Sequence, residues 1–197
     1  MVGILAALLE SRTSGHGQVV DVAIIDGVLN LMASHVGRAL RGEFKEERGA
    51  NLLDGGNPSY SCYRTADGEY MALGALEPRF FLEFCRHAGL PDSCVEAHQD
   101  PARWADLREV LERTFAGRSQ AEWTALLEGT DACVAPVLPL SRAARHPHNV
   151  AREAFLEIDG IEQPAPAPRF SRTPSRLRGR AATIGSIDSA IGRWRAG

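Results

Sequence analysis

Apolar positions along the chain alternate between helical and strand spacing. Ile4, Leu5, Leu8 and Leu9 form a stripe at helical spacing that no Ser, Thr, Asp or Asn precedes, so the chain is expected to begin inside a helix without a capping residue. Thr13-Ser14-Gly15-His16-Gly17 ends that helix, and Gln18 to Asp21 suits a short strand or extended lead-in. Ile25, Leu29, Met32 and Val36 recur at steps of three and four, which predicts one buried helix from about Val22 to Leu40. Arg41 to Asn51 is charged and glycine-punctuated, as a surface connection would be.

The clearest local pattern follows. Ser59 to Thr65 and Glu69 to Leu76 are two strand-like runs separated by Ala66-Asp67-Gly68, a β-hairpin signature because Asp-Gly accepts the positive φ of a tight turn. Pro78 holds Glu77 extended and opens a helix, Arg79 to Ala88, that buries Phe80, Phe81 and Phe84 and closes at Gly89. Helices are expected over Ala102 to Phe115 and Gln120 to Leu127, the second started by a capping box, Ser119-Gln120-Ala121-Glu122, and stopped by Gly129. Cys133 to Leu138 reads as a strand, and Ser141 can cap a helical turn before His146-Pro147. Phe155 to Phe170 holds an Asp159-Gly160 turn and a proline-rich stretch expected to cross in extended form. Arg172 to Arg180 reads as a basic loop, and Ile184, Ile187 and Ile191 suggest a terminal helix including Trp194. The whole is mixed α/β, with one compact domain centred on Ser59 to Ala151.

Composition narrows the function classes. With 22 basic against 25 acidic residues, the net charge of −3 excludes a strongly basic nucleic-acid binder. A chain with 44% hydrophobic and 24% charged residues folds rather than staying disordered. Lys45 is the single lysine, so the positive charge is almost all guanidinium; such side chains suit carboxylate or phosphate partners, but arginine-rich codon usage is the favoured reading. Cys62, Cys85, Cys94 and Cys133 lack CxxC spacing, which fits reduced thiols and a cytoplasmic location. The apolar run at Val2 to Leu9 is too short to span a bilayer and lacks a basic leader, so no membrane span is expected.

No Walker loop, HExxH, nucleophile elbow or GxGxxG occurs. Gly15-His16-Gly17 reads as a turn, and His146 with His148 lacks a third ligand, so no metal is expected. Asn51 to Tyr60 packs two glycines, a proline and an aromatic into a loop where a ligand could approach the backbone. Glu77, directly after the second hairpin strand, would sit near that loop; spacing alone favours instead a helix N-cap or first-turn carboxylate stabilised by the dipole.

Four strings carry a resemblance: GILAALLESRTSGHGQVVDVAIIDG, GANLLDGGNPSYSCYRTADGEYMALGALEPRFF, DACVAPVL and APAPRFSRTP. Together they resemble the C-terminal half of the α-methylacyl-CoA racemases, a branch of the family III CoA-transferase (CaiB/BaiF) superfamily. The resemblance implies an α/β fold in which a small α+β domain is flanked by segments of a Rossmann-like large domain. It places residues 1–22 at the end of the large domain's first part, 23–61 in a linker, 62–151 in the small domain, and 152–197 in a return linker and C-terminal large-domain segment. It further implies an interlocked homodimer with the active site between unlike domains of two protomers.

The implied reaction is epimerisation of a 2-methylacyl-CoA thioester by removal and return of the α-proton through an enolate, with no cofactor because CoA is part of the substrate. Within that resemblance Glu77 matches a glutamate hydrogen-bonded to the family's catalytic histidine, Tyr60 an acyl-pocket tyrosine, and Leu53 and Leu76 apolar walls. The family's histidine and aspartate bases lie upstream of the matched region, as do most of its CoA-binding arginines, and neither His16 nor His35 replaces them. The chain is therefore expected to be inactive alone, the bases coming from a separate N-terminal chain where one exists. Two other readings stand beside it: a CoA transferase of the same superfamily working through an aspartyl-CoA thioester, and a non-catalytic module pairing with a full-length relative through the Ile4 to Leu9 stripe.

Overall fold

Residues 1–175 are described by the computed structural model, so the terminal helix expected around Ile184 to Trp194 lies outside the described residues. The chain divides into two compact units, Met1–Ala135 and a second beginning at Pro136. In the first unit, α1 (Val2–Ser14) starts without a side-chain cap and stops at Gly15, whose left-handed φ of 77° lets its N–H bond the Ser11 carbonyl. Gln18 to Asp21 forms no strand, because no neighbouring strand offers it a ladder among the described residues.

The single buried helix expected over Val22 to Leu40 is corrected on two counts. It is two helices, α2 (Ile24–Leu31) and α3 (Ala33–Leu40), joined at Met32. Its apolar residues are also open, Ile25 at 59% and Val36 at 49% exposure. Periodicity identifies an apolar face but not what covers it, and within the described residues the face is bare. Arg41 to Ala50 is the surface connection expected.

The hairpin forms where the Asp-Gly turn put it. Strands β1 (Tyr60–Arg64) and β2 (Tyr70–Gly74) pair antiparallel with Tyr63 opposite Met71, and Gly68 takes a φ of 83° in the turn. Tyr63, Met71 and Leu73 point inward, while Tyr60 and Tyr70 point outward. After β2, α4 (Pro78–Ala88) buries Phe81, Phe84 and Cys85, leaving Phe80 only partly covered, and Gly89 closes it in the left-handed conformation. Then come α5 (Ser93–His98), a 3₁₀ turn at Pro101–Arg103 capped by Asp100, and α6 (Trp104–Phe115). Next, α7 (Gln120–Leu127) opens with the expected capping box, the Ser119 N–H donating to Glu122 at 2.8 Å. Strand β3 (Val134–Val137) completes a sheet of order β1-β2-β3.

The core lies between that sheet and α4, α6 and α7. Phe115 stands at its centre, its ring 5.0 Å from Tyr63, 5.3 Å from Phe84 and 5.1 Å from Trp123, whose indole N–H donates to the Phe115 carbonyl at 2.9 Å. The hairpin turn is tied to α7: the Asp67 carboxylate accepts from the Thr65 hydroxyl at 2.5 Å and from the Gln120 N–H at 3.2 Å, while the Gln120 amide donates to the Tyr70 carbonyl at 2.7 Å. The Thr65 hydroxyl foremost holds the Asp67 carboxyl below the usual carboxylate range.

His98 is a titratable residue buried beside the core. It is 4% exposed, its ring is 4.6 Å from Phe81, and Nε2 bonds the Ala75 carbonyl at 3.2 Å while Nδ1 has no protein partner. Burial favours the neutral ring and lowers its pKa. The unfolded chain then binds more protons than the folded one once pH falls below the unfolded value, so stability is full above about pH 6.5 and declines as the solution becomes more acid. Urea midpoints compared at pH 7.5 and 5.5 should fall with acid in the parent, with a smaller fall in His98→Gln.

In the second unit, α8 (Leu140–Ala143) follows Pro139 at the cap position, and Ser141 lies inside the helix rather than capping it. Pro147 opens α9 (Pro147–Ala151). Within the stretch expected to cross in extended form, β4 (Phe155–Ile158) and β5 (Ile161–Pro164) pair as a second hairpin around Asp159 and Gly160, both at positive φ. All four cysteines are free thiols, and among the described residues no helix is long and apolar enough to cross a membrane.

Candidate functional site

The loop that feeds the hairpin is built around Asp54. Its Oδ1 accepts from the backbone N–H of Asn51 at 2.8 Å and of Gly56 at 3.2 Å, and its Oδ2 from the Asn51 amide at 2.9 Å. The Asn51 amide, together with the backbone donors, lowers the Asp54 pKa to about 2, so the carboxylate stays charged throughout the neutral range. Gly56 passes so close to the preceding turn that a Cβ there would stand 2.5 Å from the Asn51 carbonyl oxygen and 2.8 Å from that of Gly49, which leaves room for glycine alone. From α6 the Arg108 guanidinium donates to the Gly55 carbonyl at 2.6 Å, the Gly56 carbonyl at 3.2 Å and the Ser61 hydroxyl at 3.3 Å. At the loop's end Asn57 Oδ1 accepts from the Ser59 N–H at 2.8 Å and hydroxyl at 2.7 Å, and the Tyr63 hydroxyl donates to the Pro58 carbonyl.

That loop delivers Tyr60 to the open end of the hairpin. Tyr60 pairs with Gly74, and the Ala75 N–H donates to the Ser59 carbonyl at 3.0 Å, so Leu76 and Glu77 leave the sheet beside the loop's exit. Here a groove of about 410 Å³ is walled by Tyr60, Cys62, Leu73, Gly74 and Cys133 among others. The Tyr60 ring lies over Gly74, where an added Cβ would be 3.9 Å from Cε2.

Glu77 has extended backbone, φ −79° and ψ 134°, and its carbonyl accepts the first N–H groups of α4, from Phe80 and Phe81. Its carboxylate is exposed and makes no side-chain cap bond, although Glu77 stands at the N-cap position of α4 that spacing gave it. The Cys133 thiol on the groove wall is pushed up first by burial and then by the negative charge of Glu77. Glu77, Leu76 and Tyr60 thus gather at one end of the hairpin. Leu53 does not join them; it lines a separate cleft of about 300 Å³ with His35, Arg38, Phe44 and Leu52.

Arg108 and Asp54 hold this architecture and were not singled out in the sequence. Asp54-Gly55-Gly56 carries a legible hint of a side chain bonding its own turn. Arg108 carries none, standing 52 residues from Gly56. Among the described residues no three or more His, Cys, Asp or Glu gather as metal ligands would.

Comparison with known proteins gives a consistent result. The chain is 40% identical over 176 residues to the alpha-methylacyl-CoA racemase of Mus musculus, covering 88% of this chain and 46% of that protein. Identity is 35% over 175 residues with the racemase of Homo sapiens, and 26% over 201 residues with the succinyl-CoA–D-citramalate CoA-transferase of Chloroflexus aurantiacus. Among solved structures, a CAIB/BAIF family protein from Brucella suis superposes with a TM-score of 0.71 at 19% identity over 98% of this chain and 52% of that one. The protein Rv3272 from Mycobacterium tuberculosis gives a TM-score of 0.69 at 22% identity, covering 96% and 51%. The chain spans about half the length of the relatives it matches. The α/β fold expected is the one these structures share, and since residues 1–186 match the family described as CoA-transferase family III, the chain belongs to that family.

Proposed function

We propose that this chain supplies the acyl-binding part of an α-methylacyl-CoA racemase site. The observation that carries the reading is identity of 40% and 35% to two racemases over 88% of the chain, against 32% over 67% and 26% over 96% of the chain to two transferases. The local geometry supports it: a glycine-rich loop fixed by Asp54 and Arg108 presents Tyr60, and the chain leaves the same end of the hairpin at Glu77, whose carboxylate is exposed.

In this reading Tyr60 and Leu76 wall the site beside the thioester, and Leu53 offers apolar surface in its own, separate cleft. Glu77 accepts a hydrogen bond from a histidine of polypeptide outside this chain. A carboxylate there orients the ring and favours its protonated form, so the aspartate on one face takes the α-proton while the protonated histidine on the other delivers its own proton to the enolate carbon, the roles reversing for the opposite enantiomer. The enolate needs shelter from water while both bases act, which suits a site closed between residues 62–151, acting as a small domain, and the large domain of an interlocked partner.

The test is a fusion of the N-terminal half of the mouse racemase to this chain, incubated with a 2-methylacyl-CoA in deuterated buffer. Deuterium should enter the α-carbon, read by mass spectrometry. A folded fusion that moves CoA between acids without such exchange would make the site a transferase's, and one that does neither would leave this chain a non-catalytic module.

A further inference from the structure

Arg38 is a half-buried residue whose side chain makes no hydrogen bond or salt bridge among the described residues. It sits with His35 on one face of α3, three residues apart, and both line the cleft that contains Leu53. Glu43, close along the chain, is taken by Arg41 through two bonds of 3.0 and 3.2 Å and feels Arg38 only as a weaker attraction. Among the described residues nothing else bonds the Arg38 side chain. A guanidinium on a cleft wall with no bonded partner is open to a carboxylate or phosphate, either of which fits its planar fork.

The other walls are of two kinds. Phe44, Leu52 and Leu53 give apolar surface, with the His35 ring 5.9 Å from that of Phe44. The His35 Nδ1 is bonded to the Ser34 hydroxyl at 3.3 Å, which leaves Nε2 for one more hydrogen bond. Asp54, the one acid on the lining, has Oδ1 and Oδ2 both turned to donors of its own loop. A volume of about 300 Å³ accommodates a small ligand of mixed character.

We propose that this cleft is an apolar subsite with an anion-binding end: Arg38 takes a carboxylate or phosphate, His35 Nε2 adds a hydrogen bond, and the stem bearing the anion lies on Phe44, Leu52 and Leu53. The proposal rests on the acyl-CoA reading only for the source of the anion. That source is either a carboxylate at the far end of a dicarboxylic acyl chain or a phosphate of CoA itself.

Calorimetric titration of the full chain tests it with three probes: octanoate, 1-octanol and adenosine 3′,5′-bisphosphate. Octanoate should bind at least about tenfold more tightly than 1-octanol, and Arg38→Gln should weaken it by a similar factor, as loss of a charged hydrogen bond does. Arg38→Lys should recover part of the affinity, and Leu53→Ala should also weaken octanoate. Bisphosphate binding that Arg38→Gln abolishes, with octanoate indifferent, would assign the anion to CoA. Binding unaffected by Arg38→Gln, or no binding of either anion, overturns the proposal. The titration requires no turnover, so a fusion that fails to exchange the α-proton leaves this result standing, and the reverse also holds.

Discussion

Phe115→Ala is expected to lower the unfolding free energy by about 3–5 kcal/mol, a large fraction of the stability of an ordinary domain. The expectation follows from position rather than size. The ring has no solvent exposure and meets those of Tyr63, Phe84 and Trp123, which belong to a strand and two helices. Stacked rings are too stiff to flow into the space an alanine leaves, so the void persists and each of the three loses contacts on one side. The indole hydrogen bond goes to the main-chain carbonyl of residue 115 and survives the substitution. Urea unfolding followed by Trp123 fluorescence is the measurement. A loss under about 1.5 kcal/mol, the range of volume-conserving core exchanges, would mean that the sheet and helices can close over the gap.

Glu77→Gln, placed in the fusion with the mouse racemase half, is expected to reduce α-proton exchange by about a hundredfold, within what a positioned acid or base contributes. Stability should be nearly unchanged, because the carboxylate is exposed and caps no helix N–H. The pH profile separates a tuning role from a structural one. Without the neighbouring negative charge the histidine loses its proton more easily, so the limb of the rate profile that reports this histidine should move to lower pH. A rate within twofold of the parent, with the limb in place, would remove Glu77 from the chemistry.

What could be read from the amino acids alone was what local chemistry decides. Asp67-Gly68 set the hairpin, Ser119 with Glu122 set the start of α7, and Gly89 closed α4, each through bonds spanning a few residues. Covering surfaces were not legible: Ile25 to Val36 had the right spacing for a buried helix and yet stand open. At the site, the joining of Tyr60 and Glu77 was readable because one hairpin carries both. The separation of Leu53 into its own cleft, and the reach of Arg108 to the glycine loop, depend on long-range packing that no short motif encodes.

The carboxylate in the hairpin turn has a consequence for how the molecule breathes. Because Asp67 holds the first amide of α7 and the Gln120 side chain holds the Tyr70 carbonyl, neither ribbon nor helix can open without releasing the other. Their amides should exchange with heavy water as one cooperative unit, slow and with a shared opening free energy, while those of α1 to α3 exchange early and independently.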